Sequence, residues 1–119
     1  MANILITDDA MFMRTMLKSI LTSAGHNIVA EASNGKEAVE LYAKYKPDLV
    51  TMDITMPELD GLGALREIMK SDPQANVIMV TAMGQQVMVV EAVKAGAKDF
   101  IVKPFNSDKV LDSVNKLIK

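Results

Sequence analysis

The 119 residues, half of them apolar, suffice for one domain with a single core and are too apolar for a disordered chain. A formal charge of −2 with dispersed Lys and Arg argues against a nucleic-acid surface, and the lack of Cys excludes disulfides and thiolate metal sites, as fits a reducing cytosol. No apolar stretch approaches the roughly 18 residues of a membrane span, and Met1-Ala2-Asn3 leads straight into a strand rather than a signal peptide. The expectation is one cytoplasmic, monomeric domain over 1–119, with no membrane or nucleic-acid partner.

Strands and helices alternate along the chain. Asn3–Thr7 reads as the first strand, followed by a helix with Met13, Met16, Leu17, Ile20, Leu21 and Ala24 on one face and Gly25 as its stop. Ile28–Ala32 is the second strand. The helix after it starts near Asn34, with Glu37 at capping-box spacing, buries Ala38, Leu41, Tyr42 and Tyr45, and ends before Pro47. Leu49–Asp53 leads to a helix carrying Leu62, Leu65, Ile68 and Met69, which ends before Asp72-Pro73. Val77–Thr81 precedes a helix from about Gln85 to Ala95, capped by Gly96. Asp99–Val102 precedes a last helix from Ser107 with Val110, Leu111, Val114, Leu117 and Ile118. Short runs rich in Ile, Val and Leu are what parallel strands buried on both faces require. Five βα units predict an α/β fold, a doubly wound (βα)5 flavodoxin-like sandwich with helices on both faces. Its strand order, 2-1-3-4-5, is carried over from folds of that type.

Open parallel sheets hold ligands outside the carboxyl ends of their strands. Asp8-Asp9, Asp53, Thr81-Ala82 and Lys103-Pro104 all fall there. Singly each has an ordinary reading: a helix cap for Asp8-Asp9, a turn residue for Asp53, a strand residue for Thr81, a solvated charge for Lys103. Together they conflict electrostatically, because like charges about 4 Å apart repel by roughly 4 kcal/mol at an effective dielectric of 20. Three such carboxylates need a cation or raised pKa values, and a hard, oxygen-liganded divalent ion, Mg²⁺, resolves the conflict. The one His, His26, follows Gly25 and reads as a surface residue. The same geometry supports phosphoryl transfer to a carboxylate, with Lys103 neutralising oxygen charge and the Thr81 hydroxyl bonding a phosphoryl oxygen.

Asp8-Asp9, Asp53 with Met56-Pro57 and Asp60-Gly61, Thr81-Ala82, Ala95-Gly96-Ala97 with Phe100, and Lys103-Pro104-Phe105 together resemble the receiver domain of two-component response regulators. The match spans the chain, and no DNA-binding output domain is expected. The resemblance implies a single-domain chemotaxis regulator, with Asp53 as phosphoacceptor from a histidine kinase of the CheA type. It implies Mg²⁺ held by Asp8, Asp9, Asp53 and the backbone carbonyl of Thr55. It implies Thr81 and Phe100 as the switch pair, Lys103 as the phosphate-sensing cation, and a cis Lys103-Pro104 peptide. The implied target is a flagellar motor-switch protein or an adaptor, with a sporulation-type relay as the other possibility. Phe100 stands where many members have Tyr, and Met83 offers no polar atom to orient water, which points to a separate phosphatase.

Helix four has apolar residues on more than one face. If Val90, Val93 and Ala97 face the core, Met88 points outward and is either an interaction residue or a single exposed apolar side chain. Two rival functions fit less well. A haloacid-dehalogenase-type phosphatase needs a second Asp two residues after the nucleophile, where Thr55 stands, and a longer chain. A flavodoxin-like electron carrier needs a phosphate-cradling first loop, which Asp8-Asp9 would repel.

Overall fold

The computed structural model describes residues 1–56 and 58–118. Its elements are β1 (Asn3–Thr7), α1 (Met11–Ser23), β2 (Asn27–Ala32), α2 (Gly35–Tyr45), β3 (Leu49–Asp53), α3 (Gly61–Ser71), β4 (Val77–Ala82), α4 (Gln86–Lys94), β5 (Asp99–Lys103) and α5 (Ser107–Leu117). The five strands are all parallel in the order β2-β1-β3-β4-β5, as expected for a doubly wound sheet. Pro57, part of the motif after Asp53, lies outside the described residues.

Alternation along each strand sorts the core into two layers. Leu5, Val50, Met52, Val77 and Met79 face Ala38, Leu65, Ile68 and Ala92 of α2, α3 and α4. Ile4, Ile6, Leu49, Ile78 and Ile101 face Leu17, Leu21, Val110 and Val114 of α1 and α5. β3 is buried at every position, whereas β5, at the sheet edge, alternates. No described helix is long and apolar enough to cross a membrane.

The helix starts follow local chemistry. Asn34 accepts from the Glu37 amide, and the Glu37 carboxylate reaches back to the Ser33 amide and hydroxyl. That reciprocal pair is a capping box displaced by one residue on its return side. Asp60 caps α3 by accepting from the Gly63 amide at 2.7 Å. The Lys103-Pro104 peptide is cis, as the resemblance implied.

Several expected faces are corrected. On α1, Met13, Leu17 and Leu21 are buried, but Met16 is 42% exposed and Ala24 lies at the exposed helix end. Tyr45 is exposed where Tyr42 is buried, its hydroxyl donating to Asp72 at 2.7 Å. His26 is half-buried, and its Nδ1 accepts from the Ala2 amide at 3.1 Å. It therefore ties down the start of β1 rather than standing free. The largest correction is α4. Met88 packs against the core with Val89 and Ala95, around buried Ala92, while Val87, Val90 and Val93 point outward. Ala92 is the buried side chain of this helix, and of the valines only Val89 turns inward with it.

Candidate functional site

The carboxyl ends of β1, β3, β4 and β5 bring Asp8, Asp9, Asp53, Thr81 and Lys103 to one rim of the sheet. Asp8 is 1% exposed and held on three sides. Its Oδ1 accepts from the Ala10 amide at 2.9 Å, its own amide donates to the Ala32 carbonyl, and its carbonyl accepts from Arg14 Nη1 at 2.7 Å. Asp53 is 7% exposed, whereas Asp9 is open to solvent. One carboxylate oxygen from each of Asp8, Asp9 and Asp53 lies within 4.8 Å of the others. All the donors are hard oxygens, the chemistry that suits Mg²⁺ or Ca²⁺ rather than a softer metal.

Lys103 counters this charge. Its Nζ lies 3.1 Å from Asp8 Oδ2 and 3.4 Å from Asp53 Oδ1. Burial alone would lower the pKa of the ammonium, but the two carboxylates outweigh it and raise it. Asp53 is pushed up to about 6, first by burial and then by the charge on Asp8, with Lys103 pulling the other way. Asp53 stays raised despite Lys103, so the charge of the cluster is not fully offset and favours a further cation.

A pH dependence of stability follows. An unfolded Asp53 releases its proton near the usual 3.8, whereas the folded one holds it to about 6. At pH 3 both states are protonated and Asp53 contributes nothing. Between about 4 and 6 the folded state binds more protons, so stability falls as pH rises, and above 6 the full penalty is present. In chelator, Asp53→Asn should therefore melt higher than the parent at pH 7, by on the order of 2 kcal/mol, with little difference at pH 4. A variant no more stable at pH 7 would contradict the crowding.

Thr81 is buried, and its hydroxyl donates to Gln85 Oε1 at 2.8 Å. Gln85 Nε2 in turn donates to Thr55 Oγ1 at 2.9 Å. Sequence reasoning had no signal for Gln85, a polar loop residue 30 positions from Thr55. Phe100 is 44% exposed on β5, paired in register with Met79. With Val102, Val90, Val93 and Met83 it lines a groove of about 690 Å³ that Thr81 also lines. The expected site residues thus gather on one rim, and the expected switch residues Thr81 and Phe100 share this groove. Met88 does not take part, because it faces the core.

Residues 4–115 match the model of the response regulator receiver domain. The chain belongs to that family. It is 61% identical over 116 residues to the chemotaxis protein CheY of Thermotoga maritima, covering 98% of this chain and 97% of that one. It is 62% identical over 115 residues to CheY of Bacillus subtilis, covering 97% and 96%. A chain of the CheX–CheY–BeF3–Mg²⁺ complex of Borrelia burgdorferi superposes with a TM-score of 0.94 at 44% identity, covering 98% of this chain and 89% of that one. These matches carry the functional reading too: a CheY-type response regulator serving chemotaxis, a signalling protein whose acidic cluster is compatible with Mg²⁺.

Proposed function

We propose that Asp53 is the phosphoacceptor of this response regulator and takes its phosphoryl group from a histidine kinase of the CheA type. The observation supporting this most directly is the placement of Asp53: 7% exposed at the end of β3, with the Lys103 ammonium 3.4 Å away. An Asp53 carboxylate oxygen attacks phosphorus, an O–P bond forms, the N–P bond of the phosphohistidine breaks, and its electron pair leaves with the imidazole. Lys103 neutralises charge on the transferring oxygens, and Thr81 offers its hydroxyl to one of them. Asp8, Asp9 and Asp53 with the Thr55 carbonyl would hold Mg²⁺, which when bound offsets the charge spread over those oxygens.

The acyl phosphate adds roughly −1.5 to −2 charge at pH 7, and drawing Thr81 towards it opens space beside Phe100. The result is a population shift in the groove between α4 and β5, where exposed Val90 and Val93 offer an apolar surface. A flagellar motor-switch protein or an adaptor binds there in the phosphorylated state. Met83 is exposed and has no polar atom to orient water, so a separate phosphatase removes the group. The Borrelia relative is seen in a complex with a second protein, CheX, which supports a protein partner for the activated state. The protein works as a cytoplasmic monomer, one receiver domain over 1–119.

Metal dependence tests this reading. Asp9 is the one exposed carboxylate of the three, so removing it leaves the fold intact. Chelation should abolish uptake of phosphate from a small phosphodonor. Asp9→Ala should weaken Mg²⁺ binding by at least about 10-fold, as loss of a well-placed metal-site group does. Unchanged Mg²⁺ affinity, read by calorimetry, would remove the site as drawn.

A further inference from the structure

Gln85 is the N-cap residue of α4, yet its side chain makes no bond to the helix it begins. The amide turns back to the strand ends. Its Oε1 lies 2.7 Å from the Ala82 amide and 2.8 Å from Thr81 Oγ1, and its Nε2 lies 2.9 Å from Thr55 Oγ1. A backbone N–H can only donate, so the atom facing Ala82 is the oxygen, which fixes the orientation of the amide. An oxygen facing Thr81 requires the hydroxyl to donate. The Thr81 proton is thereby committed, its other acceptor being the Ala82 carbonyl at the longer distance of 3.2 Å.

The oxygens of a phosphoryl group on Asp53 are acceptors and need the same proton. One hydroxyl hydrogen cannot serve both. We propose that Gln85 is a positioning residue that holds the resting state of the switch by competing with the phosphoryl group for the Thr81 hydroxyl, while tying the loop after β3 to the loop after β4. The inference rests on Asp53 as phosphoacceptor. It gives the switch two discrete arrangements, with Thr81 on Gln85 or Thr81 on the phosphoryl oxygen. Because the Gln85 carbonyl also accepts from the Val89 amide at 3.0 Å, release of the amide reaches the first turn of α4.

The test is a double-substitution cycle with beryllofluoride and Mg²⁺, the group present with the Borrelia relative, titrated calorimetrically. Gln85→Ala should bind the mimic about 2- to 12-fold more tightly than the parent, the range of one hydrogen bond. In a Thr81→Val background the same substitution should leave the affinity unchanged, because no hydroxyl remains to compete for. A purely structural role for Gln85 would change affinity equally in both backgrounds, and that result overturns the proposal, as does unchanged or weaker binding in Gln85→Ala alone. If Asp53→Asn binds the mimic as the parent does, the phosphoacceptor reading itself fails, and the competition falls with it. If binding depends on Asp53 but Gln85→Ala has no effect, only the competition is overturned.

Discussion

Gly61→Ala should unfold this protein at temperatures the parent withstands. Gly61 opens α3, and its amide donates to the Ile54 carbonyl at 2.7 Å, pinning the helix start against the end of β3. A Cβ there would run into the backbone carbonyl of Asp53 and lie 2.8 Å from the Ile54 Cα. Neither atom can rotate away, as the end of a side chain could. The site must open by shifting the very strand end that carries Asp53. The expected loss is at least about 3 kcal/mol, the upper range for overpacking a well-packed position, or on the order of 10–20 °C in melting temperature for a domain of this size. Gly63→Ala is the internal comparison. Its Cβ would meet chiefly the Leu59 Cδ1 at 2.7 Å, the far end of a flexible side chain, so the cost should stay within about 1 kcal/mol. Thermal melts of the pair check the argument. A Gly61→Ala protein as stable as Gly63→Ala would show that the loop after β3 is not clamped to the strand end.

Elements governed by one dominant physical signal are legible in the residues. Leu49–Asp53 was legible to the residue because a strand buried on both faces is mainly apolar, with Thr51 its one interruption, and it ends at the carboxylate. The rim of Asp8, Asp53, Thr81 and Lys103 was legible for a related reason: parallel topology sends every strand end to one side. Helix phase was less legible. In α4, apolar residues at Val87, Met88, Val89, Val90 and Val93 cover most of the circumference, so the 3.6-residue period does not select a face. The face that is buried is the one centred on Ala92, four residues from Met88, so Met88 lies inward with it. Met16 and Tyr45 failed similarly, as apolar bodies one turn from buried positions that the neighbouring elements do not reach. The Gln85 bridge was invisible because it joins Thr55 and Thr81 through space, and its residue type marks nothing in a loop.

Covalent transfer to Asp53 is the claim on which the functional account rests, and its expected effect is all or none. Asp8 and Asp9 are also carboxylates of the cluster, but Asp8 is 1% exposed and fixed by the Ala10 amide and Lys103, while Asp9 lies in open solvent. Asp53 alone is both sheltered and placed at the end of the central strand, with the Lys103 ammonium 3.4 Å from its Oδ1. An asparagine there keeps the shape and removes the nucleophile. The decisive measurement is the intact mass of parent and Asp53→Asn after incubation with a small phosphodonor and Mg²⁺. The parent should gain one phosphoryl group, removable by hydroxylamine as an acyl phosphate is, and Asp53→Asn should gain none. Phosphorylation of Asp53→Asn at the parent's rate would place the acceptor elsewhere and contradict the account.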